Sequence, residues 1–154
     1  MTLAWTLGFR INVTPSLPYG LYRFTARPLP PERLASFCLE SDLSSLARDR
    51  GYLAPGSCPS GLRPLLKQVV GLPGDVIGLQ DGMMVLNGQV LAHTAPAVCD
   101  SKGRSVRPSR LRVGVIPPGQ ALMLAQRSDS FDSRYFGLVP LDRIQWVEPI
   151  CTFN

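Results

Sequence analysis

A mainly antiparallel β fold, with a short helix in an inserted excursion, is what the sequence predicts, and three features predict it. Leu3, Trp5, Leu7, Phe9, Ile11 and Val13 alternate with smaller or polar residues, the period-2 pattern of a half-buried strand. Met83-Met84-Val85-Leu86 and Gln89-Val90-Leu91-Ala92 are joined by Asn87-Gly88, residue types that accept the positive φ angles of a type I′ hairpin turn. Gly 14 and Pro 15 in a chain of 154 residues exceed the average usage of roughly 7% and 5%. Many turns and few long helices follow.

Taken in order, the opening strand leads to two more, Gly20 to Phe24 and Arg33 to Leu39, with Pro28, Pro30 and Pro31 forcing a connection between them. Ser41-Asp42 ahead of Leu43, Leu46 and Ala47 reads as the capped start of a short helix ending near Gly51. Residues Tyr52 to Pro64, punctuated by Pro55, Gly56, Pro59, Gly61 and Pro64, form a loop back to the apolar run Leu65 to Leu72. Residues 40–63 are therefore an excursion between strands. Further on, Ala97 to Pro118 reads as loop, Ala121 to Ala125 as a short apolar strand, and Ile144 to Phe153 as the strand that closes the sheet.

The length suits a single domain over residues 1–154, large enough to bury a core without metal or disulfide. A formal charge of +5 raises the possibility of nucleic-acid binding, yet no basic stripe is interleaved with aromatic residues. Arg104, Arg107, Arg110 and Arg112 sit among Ser, Pro and Val, which reads as a solvated loop, so nucleic acid is not an expected partner. Weak attraction to anionic lipid is the better use of the charge. No stretch reaches the roughly 20 apolar residues of a membrane span. Met1 is followed directly by Thr2-Leu3-Ala4-Trp5, and a native N-terminal membrane anchor is expected to be absent from this chain. Trp5 suggests that this end meets the bilayer interface. Cys38, Cys58, Cys99 and Cys151 include no C-x-x-C pair and have only His93 for company, so no zinc site is expected. Their pairing is open at this point.

Three segments carry more chemistry than a core requires. In Thr14-Pro15-Ser16-Leu17-Pro18 two prolines fix the backbone around a serine just after a strand. In Lys67-Gln68-Val69-Val70-Gly71-Leu72-Pro73-Gly74-Asp75 a lysine lies inside an apolar strand, where it must snorkel outward or lose its charge. Ser128 to Gly137 packs hydroxyls, carboxylates and Arg134 between two apolar runs. Singly, these read as a Pro-rich turn, a snorkelling lysine and a solvated loop. Their conjunction and order say more.

Together they resemble the boxes of the type I signal peptidases, and more closely those of the TraF-type conjugative transfer signal peptidases. The serine box is similar to Thr14 to Pro18, the lysine box to Lys67 to Asp75, and the third box to Ser130 to Gly137. The TraF-type likeness rests on Ser16-Leu17-Pro18-Tyr19-Gly20-Leu21-Tyr22 and on Arg50-Gly51-Tyr52-Leu53 leading through Cys58-Pro59 to Pro64-Leu65-Leu66-Lys67. The resemblance covers nearly the whole chain.

It implies a signal-peptidase-like β fold and a serine endopeptidase with Ser16 as nucleophile and Lys67 as general base, needing no cofactor. A serine hydroxyl is a poor nucleophile until a base takes its proton, and a buried lysine of lowered pKa can do that. Ser130 takes the position that orients the lysine amine, Asp132 and Arg134 look like a supporting ion pair, and Thr14 sits where a hydroxyl joins the Ser16 N–H in an oxyanion hole. His93 is expected at the surface or satisfied elsewhere. The implied partner is a pilin or related exported precursor, cleaved through an acyl-enzyme and resolved by water or, with cyclisation, by a peptide amine, at the periplasmic face of the bacterial inner membrane. In that compartment Cys38 and Cys58, which flank the excursion, are the expected bridge. Three departures bear on substrate preference: Leu17 replaces the usual Met, Gln68 a basic residue, and Ala125-Gln126-Arg127 a Gly-Asp-Asn run. General signal peptidases that remove secretory leaders, self-cleaving repressor peptidases, and a non-catalytic β module binding extended peptides are the alternatives.

Overall fold

The computed structural model describes residues 8–106, 110–125 and 127–153, so Leu3, Trp5, Leu7, Arg107 and Gln126 lie outside the described residues. The chain packs as two units, Met1–Gln68 with Arg143–Asn154, and Val69–Asp142. Its strands pair mainly antiparallel, as the sequence predicts. Among the described residues no helix is long and apolar enough to cross a membrane.

In the first unit, β1 (Phe9–Asn12), β2 (Gly20–Thr25), β3 (Leu34–Phe37), the start of β4 (Leu65–Gly71) and β11 (Gln145–Thr152) form a sheet ordered β1-β2-β11-β3-β4. The last strand of the chain does not close the sheet at an edge but fills the gap between β2 and β3. Val147 is the reason: it pairs with Phe24 on one side and Leu34 on the other and joins Tyr22, Leu34 and Leu66 in a buried cluster. Beyond it Pro149, which has no N–H for the ladder, marks a register shift before Cys151. Gly20 faces that stretch so closely that an added Cβ would lie 2.2 Å from the Cys151 carbonyl oxygen.

The opening alternation is inverted where it is described. Ile11 and Val13 are 57% and 54% exposed, whereas Asn12 is 4% exposed. An apolar residue would normally take the inward position, and the amide takes it here because it has backbone groups to bind.

The excursion holds α1 (Ser41–Asp49). The helix is where the sequence puts it, but the residue at its N-cap is Glu40, which makes no side-chain capping bond. The first turn closes through Ser44 N–H to the Glu40 carbonyl at 2.8 Å, while the Glu40 carboxylate pairs with Arg143. At the other end Gly51 takes φ 69°. Its N–H reaches the Arg48 carbonyl and that of Tyr52 reaches Ala47, a Schellman ending that only a residue at ease with positive φ allows. Pro55 and Leu62 bridge the return loop.

Cys38 and Cys58 are disulfide-bonded across a separation of 20 residues, while Cys99 and Cys151 are exposed free thiols. Closing a loop of that size is worth about 3 kcal/mol in the chain-entropy model. Replacing both Cys38 and Cys58 by Ala should lower the urea midpoint accordingly, and non-reducing peptide mapping should recover the linked pair. An unchanged midpoint would show that the excursion is held without the bridge.

The second unit takes the end of β4 beside β9 (Gln120–Leu124) and β10 (Val139–Pro140), and a four-stranded sheet ordered β7-β6-β5-β8. In it β5 is Val76–Gln80, β6 Met83–Leu86, β7 Gln89–Val90 and β8 Gly114–Val115. The hairpin forms as predicted: Leu86 pairs with Gln89, and Asn87 and Gly88 take φ 51° and 81°. Ile77, Met84, Ile116, Leu122 and Leu124 make the core, with Val70, Leu86 and Leu138 packed against it. Gly71 lies against that core, where a Cβ would meet Ile116 Cδ1 at 2.6 Å. Next along the chain, the Asp75 carboxylate accepts from Leu72 N–H at 2.8 Å and from Asn87 Nδ2 at 2.9 Å, tying the Gly-Leu-Pro-Gly-Asp turn to the hairpin.

Candidate active site

Ser16 lies on the turn between β1 and β2, a stretch with few ways to hold itself. Pro15 and Pro18 have no N–H to give, so the carbonyls of the turn must find donors elsewhere. Asn12 supplies them: its Nδ2 donates to the carbonyls of Thr14 at 3.0 Å, Leu17 at 2.9 Å and Pro18 at 3.0 Å. The same side chain accepts at Oδ1 from the Thr14 N–H at 3.2 Å and the Thr14 hydroxyl at 2.9 Å. From below, the Tyr22 hydroxyl donates to the Pro18 carbonyl at 2.7 Å. Burial, and secondarily Glu32, push the Tyr22 phenol above its ordinary pKa, so it stays protonated and a donor well into the alkaline range. Leu17 packs on the cluster of Tyr22, Leu34, Leu66 and Val147, so the residue after Ser16 is pinned as well.

Lys67 is carried by β4, directly opposite Ala35 of β3, and is 2% exposed. Its amine does not snorkel into water. Nζ lies 2.8 Å from Ser16 Oγ, bringing together side chains separated by 51 residues in the chain. Burial works against an ammonium, and a neutral amine at this distance is placed to take a hydroxyl proton.

The third box is a built element rather than a solvated loop. Ser133–Phe136 form a four-residue helix, α2, with Asp132 at its N-cap accepting from the Arg134 N–H. Asp132 and Arg134 are 0% and 1% exposed and meet in a bidentate pair, Nε to Oδ1 and Nη2 to Oδ2, both at 2.8 Å. The guanidinium also donates to the carbonyls of Arg127, Ser128, Ser130 and His93. Asp132 Oδ2 accepts from Ala125 N–H and Ser133 Oγ from Met123 N–H, fixing α2 to the strand β9. Ser130 is buried, its carbonyl on Arg134, and His93 is exposed.

Of the residues singled out in the sequence, Ser16 and Lys67 are brought into contact in the first unit, and Asp132 and Arg134 in the second. Thr14 stands two residues before Ser16 with its hydroxyl proton directed at Asn12. Asn12 itself escaped the sequence reading, because in an alternating strand its position looked solvent-facing. Among the described residues no cluster of His, Cys, Asp and Glu could hold a metal ion.

Comparison with known proteins bears on what this arrangement belongs to. A family model described as signal peptidase, peptidase S26, matches residues 5–147. The conjugal transfer protein TraF of Agrobacterium fabrum is 36% identical over 151 residues, covering 96% of this chain and 84% of that protein. A plasmid transfer protein TraF of Escherichia coli is 32% identical over 149 residues, covering 96% and 83%. Among solved structures, a signal peptidase I from Enterococcus faecalis aligns at a TM-score of 0.42 and 21% identity, over 79% of this chain and 99% of that one. On the strength of the family model and the TraF relatives, which between them span nearly all of its length, the chain belongs to the signal peptidase family, peptidase S26.

Proposed function

We propose that the chain is a Ser-Lys endopeptidase of conjugative transfer, which cleaves a pilin or related exported precursor through an acyl-enzyme on Ser16. The observation that carries this reading is the contact of the buried Lys67 amine with Ser16 Oγ at 2.8 Å. Neutral Lys67 takes the hydroxyl proton as Oγ bonds to the scissile carbonyl carbon. The resulting ammonium gives the proton to the departing amine as the C–N bond breaks, leaving an ester on Ser16. Attack by water then breaks the ester and yields a linear product, whereas attack by the amine at the other end of the acylated fragment, its N-terminus, yields a ring; either way Ser16 Oγ leaves and recovers its proton. A role in conjugation is supported by the TraF relatives, and a periplasmic, membrane-associated setting by the same likeness.

Intact-mass spectrometry of a pilin precursor incubated with the enzyme tests this. Cleavage that disappears in Ser16→Ala is expected, and a product lighter by one water than the linear chain identifies cyclisation. A precursor left whole by folded enzyme, or cleaved equally well by Ser16→Ala, would overturn the proposal.

The oxyanion of the tetrahedral intermediate is assigned to the Ser16 N–H and the Thr14 hydroxyl, Pro15 having no N–H to give. In the free enzyme that hydroxyl donates to Asn12, so substrate must turn it about its C–O bond. Thr14→Val keeps the branched shape and removes the donor, and kcat should fall by about 10²–10³ with KM little changed. Thr14→Ser should keep most activity. A near wild-type rate in folded Thr14→Val would remove the hydroxyl from the oxyanion hole.

A further inference from the structure

We infer that Asn12 is the positioning residue of the nucleophile, a clamp that holds the serine turn in its reactive shape before substrate arrives; this rests on Ser16 being the nucleophile. The amide is nearly buried, at 4% exposure, and its contacts all converge on the segment that carries Ser16. Nδ2 reaches the carbonyls of residues 14, 17 and 18, which lie on both sides of the serine. Oδ1 takes the N–H and the hydroxyl of Thr14. That pattern settles the amide's orientation, since only the nitrogen can donate to carbonyls and only the oxygen can accept from an N–H. With two hydrogens serving three carbonyls, at least one bond is shared.

No other residue type of this size does the same. Aspartate offers no donor, leucine offers neither donor nor acceptor, and the prolines at 15 and 18 prevent the turn from replacing the lost bonds with its own N–H groups. Without the clamp the carbonyls of Thr14 and Leu17 are free to reorient, and Ser16 Oγ moves with them. A nucleophile displaced by an ångström loses about 10²-fold in rate. The same amide oxygen also sets where the Thr14 hydroxyl starts before it turns toward substrate, so nucleophile and oxyanion donor share one support.

Asn12→Asp is the informative variant. It keeps the shape and the acceptor for Thr14 but exchanges the donor for a second oxygen facing three carbonyls. In folded protein, kcat should fall about 10²-fold with KM little changed, and the rate at which a serine-directed acylating inhibitor labels Ser16 should fall in parallel. The new carboxylate beside the serine turn favours the Lys67 ammonium and moves the pH midpoint upward, so the midpoint is read in Asn12→Leu, which brings no charge: there kcat should fall as far while the midpoint stays at its wild-type value. Loss confined to melting temperature, with wild-type kcat per folded molecule, would make Asn12 merely structural and overturn the inference, as would a shifted pH midpoint in the uncharged Asn12→Leu. If Asn12→Asp does not fold, the wild-type enzyme decides by NMR: slow solvent exchange of the Asn12 side-chain amide protons supports the clamp, and free exchange overturns it. Should the inhibitor fail to label Ser16 in the wild type, it is the proposed peptidase mechanism that falls.

Discussion

Ser16→Ala should abolish peptide turnover, Lys67→Ala should do so to the same extent, and the double variant should be no worse than either. A nucleophile and the base that activates it act as one unit, so removing either leaves only the weak contribution of binding and oxyanion donors; in a comparable unit the loss in kcat is about 10⁶. Lys67→Arg should be equally inactive, because a guanidinium can occupy the site but cannot give up its proton at any working pH. Activity of the wild type should rise with pH as the ammonium, held at 2% exposure, is converted to the amine. Steady-state kinetics on an internally quenched precursor peptide measures the four variants and the wild-type pH profile, and strong residual turnover in Lys67→Ala would break the dyad.

Asp132→Ala should destabilise the protein by about 3–5 kcal/mol, the cost of leaving one member of a buried ion pair without the other. That is a large fraction of the roughly 5–15 kcal/mol that holds a domain of this size together. The carboxylate also accepts from the Arg134 and Ala125 N–H groups, so its loss opens the α2 N-terminus and its tie to β9 as well. Replacing a buried pair by apolar residues is often neutral, but the Asp132→Ala, Arg134→Met double variant should remain unstable. Arg134 is also the donor for the carbonyls of Arg127, Ser128, Ser130 and His93, and no apolar side chain can serve them. Urea titration followed by circular dichroism gives the answer. A wild-type midpoint in Asp132→Ala would mean that the pair contributes nothing to the fold.

The parts of this molecule that were legible in the sequence are those written in repeating or local signals. The Asn87-Gly88 turn, the apolar run of β4 and the amphipathic helix α1 each carry their instruction within a few residues. β5 was missed because Gly78 and Gln80 interrupt its pattern and Val76 and Leu79 are exposed, so neither face reads as a core face. α2 was missed for the opposite reason: in four residues it turns Ser133 and Arg134 inward, which inverts the polarity a helix search expects. Ser16 and Lys67 were found through box resemblance, since nothing local to either residue says that 51 positions of chain close to 2.8 Å. Asn12 shows the limit most clearly. Period-2 reasoning assigned the inward face to Ile11 and Val13, and the chain instead buries the amide between them, because the need of a proline-rich turn for donors outweighs the hydrophobic preference of two strand-end residues.

Incubation with a serine-directed acylating inhibitor, followed by peptide mapping across a pH series, tests the Ser16–Lys67 dyad most directly. One adduct is expected, on Ser16, forming faster as pH rises through the titration of Lys67, absent in Ser16→Ala and without that pH dependence in Lys67→Ala. An adduct on another serine, or labelling of Ser16 at equal rate with and without the Lys67 amine, would contradict it.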